Sequence, residues 1–206
     1  MFASSNWVYI FLILFVILLI GATVAITLNV TGYDANVIPE NDITKILHLG
    51  YYDLTDDETE VYALMFHKYA KKYDIDWKIY PAIITIESAW RTHAVSSCGA
   101  IGTMQVMPET FKLECKRHNI EHLEGKTIYN DIILMRVGLE YLSRMIVEHG
   151  LKRGVKSYVG GPAHSETCQD CIEYLAKFNA EYEKVKRLST EYKRIELFII
   201  NKALNQ

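Results

Sequence analysis

The chain has no lysine or arginine before Lys45. A secretory signal peptide needs a basic stretch, a short apolar run and a small-residue cleavage site. Residues 1–6, MFASSN, supply no basic residue, and Ala22 and Ala25 make a poor cleavage site. Charge of either sign is missing from Trp7 to Val30, a run of 24 residues. That length exceeds the roughly 20 residues that span a hydrocarbon core as a helix. No cysteine directly follows the run to carry a lipid, so it reads as an uncleaved signal anchor, residues 7–30. The positive-inside rule has little to count here. The short uncharged tail and large C-terminal part give an expected topology with the tail inside and the remainder outside the cytoplasmic membrane.

A strong net charge is lacking as well. Twenty-two basic and 25 acidic residues leave −3 at neutral pH, and nucleic-acid binding, which normally shows as a basic face, gains no support. The chain shows no convincing β-hairpin, no βαβ unit and no internal repeat. The part beyond the anchor is therefore expected to be all-α. Hydrophobic residues make up 50% of the chain, ample for a core, and the 14 tyrosines suit carbohydrate-like surfaces as well as cores. Four cysteines, Cys98, Cys115, Cys168 and Cys171, suggest disulfides outside the cytosol, with three pairings open. A cytosolic reading would make Cys168-x-x-Cys171 a redox or metal motif, but no βαβ pattern surrounds it.

Residues 31–57 carry Gly32, Pro39 and Gly50 and read as a linker. Thr55 or Asp56 offers an N-cap, with acids in the first turn. The following stretch places Val61, Leu64, Met65 and Tyr69 on one helical face. WKIYPAIITIESAW is a second, mostly buried helix beginning near Pro81, where a proline is tolerated. DIILMRVGLEYLSRMIVEH, residues 131–149, is a strong helix with Ile133, Val137, Tyr141, Leu142 and Met145 inward. A glycine-rich passage around a short helix follows. The chain closes on a long amphipathic helix, of which residues 179–206 extend past the main domain, residues 58–178. Its apolar positions at Leu175, Phe178, Tyr182, Val185, Leu188, Tyr192, Ile195 and Ile199 fit packing on its own domain better than a partner-binding helix, since clean heptads are absent.

Within IITIESAW, residues 83–90, an apolar run carries one carboxylate, Glu87. A buried, unpaired carboxylate costs several kcal/mol or holds its proton through a raised pKa. Downstream come Ala94-Val95-Ser96 and then Gly99-Ala100-x-Gly102-x-Met104-Gln105-x-Met107-Pro108. The stretch ESAWRTHAVSSCGAIGTMQVMPET resembles the lytic transglycosylases of the soluble lytic transglycosylase type. Their signature runs E-S, A-x-S, then G-A-x-G-L-M-Q-x-M-P-x-T, and Thr103 stands at its leucine. RVGLEYLSRMI resembles the G-x-x-Y-L helix of that family, with Leu134 where an asparagine is usual. SYVGGP resembles A-Y-N-A-G-P, with Tyr158 in place and Val159 for the asparagine.

The resemblance implies a lysozyme-like fold over about residues 60–178 and peptidoglycan glycan strands as substrate. It implies that Glu87 alone serves as general acid and then general base. The Glu would cleave the β-1,4 bond between N-acetylmuramic acid and N-acetylglucosamine and close a 1,6-anhydro ring. Ser96, Met104, Gln105 and Tyr158 are the expected substrate-binding residues. Gln105 offers a donor and an acceptor for sugar groups, while Met104 suits packing under the cleft. The rival readings are a hydrolytic lysozyme or phage-type endolysin, which would need a second carboxylate, and a non-catalytic glycan-binding scaffold. Cys115, His118 and His122 could share a helical face as metal ligands, but no fourth ligand is evident. No cofactor or metal is expected; the expected partners are the glycan strands and, through residues 7–30, the cytoplasmic membrane, with the C-terminal helix as the candidate surface for a protein partner.

Overall fold

The computed structural model describes residues 40–51, 53–120 and 130–204. Seven helices are found among them: α1 (Glu40–Gly50), α2 (Asp56–Tyr73), α3 (Ile79–Ser88), α4 (Pro108–Arg117), α5 (Asp131–His149), α6 (Leu151–Gly160) and α7 (Gln169–Leu204). The only bridges described are two isolated antiparallel pairs, Val95 with Ile101 and Ile101 with Val106. No described helix is long and apolar enough to cross a membrane. The expected anchor, residues 7–30, lies outside the described residues, as does His122.

Helix α5 is the central post. Leu134, Val137, Leu139, Leu142 and Met145 are all buried along it, and α2, α4 and α6 pack against it. Gly138 makes one of these approaches feasible, because a Cβ there would sit 2.8 Å from the Met104 Cβ and Sδ atoms and 3.2 Å from Val106 Cγ2. Helix α7 packs on α3, α6 and α1. It is a single helix of 36 residues with no break at residue 178. Phe178, Val185 and Tyr192 are buried, whereas Leu197, Phe198, Ile199, Ile200 and Leu204 are exposed. The packing expected of the terminal helix thus holds for its first six turns and lapses beyond them.

Two local expectations are corrected. The passage 31–57, read as a linker, contains α1, whose Ile43, Ile46 and Leu47 are buried. Three buried apolar residues in 11 give too short a pattern to stand out, and the helix is stabilised by packing on α2 and α7 rather than by propensity. In α2 the inward face is Tyr62, Ala63, Phe66 and Tyr69, while Val61 and Leu64 are exposed. The larger aromatic side chains win the core side because they remove more apolar area from water. The start of α2 is as expected: Thr55 and Glu58 form a reciprocal capping box.

A buried ionic cluster joins α2, α4 and α5. Glu140 accepts from Lys72 Nζ at 2.7 Å and from the Tyr73 hydroxyl. Glu114 meets Arg144 and, at 3.2 Å, His118. Both carboxylates are almost fully buried, so these partners offset a desolvation cost of several kcal/mol per ion.

Candidate active site

Glu87 is the penultimate residue of α3, a helix of ten residues whose Ile79, Tyr80, Ala82, Ile83 and Ile84 are buried. The helix stops abruptly. Ala89 and Trp90 both adopt left-handed backbone angles, φ 50° and 67°, costing of order 1–3 kcal/mol each for non-glycine residues. The turn is held by its surroundings. Trp90 Nε1 donates to Thr85 Oγ1 at 3.0 Å, and Arg91 Nε donates to the Ser88 carbonyl at 2.9 Å. The Trp90 ring lies 4.6 Å from Tyr51 and 4.9 Å from Tyr62, centroid to centroid. This aromatic cluster fixes the end of α3 and therefore the exit direction of Glu87.

The loop after the turn folds on itself. Ser96 donates its N–H to the Ala100 carbonyl, and its Oγ accepts from the Ala100 N–H, both at 2.9 Å. Gln105, at φ 48°, donates its side-chain amide to the carbonyls of Ala94 at 3.1 Å and Gly102 at 2.9 Å. Met104 is buried against Gly138. The loop is then fastened to two helices. Ser88 Oγ donates to the Thr103 carbonyl at 2.8 Å, and the Tyr158 hydroxyl donates to the Met104 carbonyl at 2.6 Å.

Glu87 is half-buried. The Tyr174 hydroxyl, from α7, donates to its Oε1 at 2.5 Å. Burial pushes the Glu87 carboxyl up from 4.5 to about 7, and the Tyr174 hydrogen bond, which favours the ionised form, works against that rise. No charged side chain among the described residues contributes to this shift. Tyr158 and Tyr174 are both held well above the ordinary phenol value, by burial first and by the Glu87 charge next. The phenols therefore stay protonated and act as donors throughout the neutral range.

Of the residues expected from the sequence, Glu87 and Tyr158 come together, and Met104 joins them through its backbone carbonyl. The side-chain hydrogen bonds of Ser96 and Gln105 go to the loop backbone. Tyr174 was not anticipated. It belongs to a helix read only as amphipathic, and no short-range spacing ties it to Glu87. Among the described residues no group of three or more His, Cys, Asp or Glu is placed to hold a metal ion. All four cysteines are free: Cys98 is exposed, Cys115 and Cys171 are buried and Cys168 is half-buried.

The helical architecture is of the lysozyme-like kind. It resembles the 70 kDa soluble lytic transglycosylase of Escherichia coli with a TM-score of 0.50 and 18% sequence identity, covering 76% of this chain and 30% of that one. Residues 64–180, more than half of the sequence, match the family model of the Transglycosylase SLT domain, and the chain belongs to that family. It is also 28% identical over 150 residues to the membrane-bound lytic murein transglycosylase E of Buchnera aphidicola subsp. Baizongia pistaciae. That match covers 71% of this chain and 64% of the relative, so the chain spans less than two thirds of the relative's length.

Proposed function

We propose that this protein is a membrane-anchored peptidoglycan lytic transglycosylase with Glu87 as its single general acid and base. The observation that carries the reading is the Glu87 carboxyl, raised to about 7 by burial and hydrogen-bonded by Tyr174. Breaking the β-1,4 bond after N-acetylmuramic acid requires a proton for a poor alkoxide leaving group. At neutral pH a carboxyl titrating near 7 is protonated in about half of the molecules and can give that proton. The donation leaves a carboxylate, which the Tyr174 hydroxyl stabilises. That carboxylate then takes the proton of the muramoyl 6-hydroxyl, whose oxygen closes on C1 to form the 1,6-anhydro ring.

The match to the transglycosylase family model favours this one-carboxylate chemistry over hydrolysis. An ordinary glycosidase needs a second carboxylate as base or nucleophile. Met104, Gln105, Ser96 and Tyr158 shape the glycan-facing loop beside the acid, with Tyr158 and Gln105 fixing its backbone. Residues 7–30 anchor the chain in the cytoplasmic membrane, and the catalytic domain works on its periplasmic or outer side. The uncharged apolar run supports that placement, as does the membrane-bound relative.

The test is digestion of purified peptidoglycan by the protein in detergent, beside Glu87→Gln, with mass spectrometry of the released muropeptides. Products ending in 1,6-anhydromuramic acid, lost in the variant, are expected. Reducing-end products would mean a hydrolase, and no products would mean a binding protein.

A further inference from the structure

Helix α7 begins at a pair of cysteines that the reaction at Glu87 does not use. The Cys171 N–H donates to Cys168 Sγ at 3.2 Å. Cys171 is fully buried and Cys168 half-buried. Both sulfurs converge on the space left by the missing side chain of Gly160: a Cβ there would meet Cys171 Sγ at 2.4 Å and Cys168 Sγ at 3.8 Å. Burial, followed by the neighbouring Cys168 sulfur, pushes the Cys171 thiol up to about 11. An i, i+3 spacing across the first turn of a helix brings Cα atoms within the 4.4–6.8 Å that a disulfide requires. By contrast, Cys98 is exposed in the loop after α3 and Cys115 is buried on α4.

The position of the pair ties it to the site. Gly160, which both sulfurs face, lies two residues after Tyr158 at the end of α6. Cys171 lies one helical turn before Tyr174 on α7. Those two tyrosines are the ones whose ionisation Glu87 influences most directly. The corner between α6 and α7 thus holds a dithiol between the two phenols of the acid's surroundings.

We infer that Cys168 and Cys171 form a reversible dithiol–disulfide couple that fastens the first turn of α7, and with it Tyr174. The oxidant is a disulfide, either a small molecule or another protein. Cys168, the more accessible sulfur, attacks one sulfur of that disulfide, forming a mixed disulfide and releasing one thiol. Cys171 then attacks Cys168 Sγ, closing the internal S–S bond and releasing the second thiol. Two S–H bonds of the chain are exchanged for one S–S bond, and the incoming disulfide leaves as two thiols carrying both protons. This couple is independent of the reaction proposed for Glu87, because its readouts are thiol chemistry and backbone protection.

The experiment equilibrates the full-length protein in mixtures of reduced and oxidised dithiothreitol, alkylates the remaining thiols and maps the peptides by mass spectrometry. Amide hydrogen exchange is measured at the two extremes. In the oxidised protein the peptide holding Cys168 and Cys171 should be lighter by two hydrogens and unalkylated, while Cys98 stays alkylated. Exchange over residues 169–178 should slow several-fold. Gly160→Ala, which displaces Cys171 Sγ, should require a more oxidising mixture for half-conversion. A link to Cys98 or Cys115, a link between chains, or full alkylation of both cysteines in every mixture would overturn the couple. Unchanged exchange over α7 despite a formed bond would overturn its fastening role.

Discussion

Tyr158 on α6 spends its hydroxyl on the backbone of the loop, donating to the Met104 carbonyl at 2.6 Å across 54 positions of sequence. That hydrogen bond holds the carbonyl between Thr103 and Gln105 in place. Tyr158→Phe leaves that buried carbonyl without a donor, at a cost of about 1–3 kcal/mol. Thermal unfolding should show a midpoint lowered by several degrees, with activity falling through the loop's loss of order.

The pH dependence of stability follows from Glu87. Its carboxyl is raised from 4.5 to about 7 by burial. Below pH 4.5 both folded and unfolded chains hold the proton, and no difference arises. Between 4.5 and 7 the unfolded chain releases it while the folded chain keeps it, so this group makes stability fall as pH rises, by about 3 kcal/mol in all. Above 7 the contribution is flat. Glu87→Gln should abolish this slope and unfold at higher denaturant than the parent at pH 8, as urea titrations at pH 4.5, 6 and 8 would show.

Catalysis has its own pH limb from the same group. The protonated acid is lost above about 7, so the rate of anhydro-product release should drop about tenfold per pH unit beyond it. In Tyr174→Phe the hydrogen bond that favours the carboxylate is gone, and the limb should move to higher pH. A rate profile from pH 5 to 9 checks this, and an unmoved limb would mean the phenol has no hold on the acid.

Gly138→Ala would place a methyl group 2.8 Å from the Met104 side chain. Overpacking of this kind costs about 1–3 kcal/mol. Because Met104 lies under the loop that Tyr158 and Ser88 fasten, turnover should fall by more than the loss of stability explains. Steady-state rates compared with the unfolding midpoint separate the two.

Burial alone would push the Glu140 carboxyl up, yet hydrogen bonds from Lys72 and Tyr73 and the nearby His118 charge bring it below its usual value. Its contribution to stability is present above the unfolded value of 4.5 and fades as pH falls through the lower folded value. Lys72→Met should remove part of it, lowering stability at pH 7 by about 1–3 kcal/mol, with a smaller difference at pH 3.

How much of this was legible in the sequence depends on range. Glu87, Ser96, Met104 and Gln105 fall within 19 consecutive residues, and their fixed spacing identifies the loop and helix end together. The helical class was equally legible, because α5 and α7 carry long periodic patterns. Tyr174 was not, because its partner is 87 positions away and any tyrosine on an amphipathic helix reads as core. Helix α1 escaped notice because its stability comes from neighbours. The face of α2 was misjudged because Val61 and Leu64 fit the period as well as Tyr62 and Phe66 do, and only tertiary packing decides between them. Gln105 has the residue type for gripping a sugar, and its side-chain N–H groups donate to the Ala94 and Gly102 carbonyls of its own loop, a pairing that residue type alone does not announce.

Helix α7 is also the last described part of the chain to be synthesised. While a nascent protein has reached only Gly161, α3 and its loop exist, but the helix that covers α3 and supplies the Tyr174 hydroxyl does not. The Tyr174 hydroxyl that meets Glu87, and the packing of α7 on α3, are thus supplied only once α7 has been made.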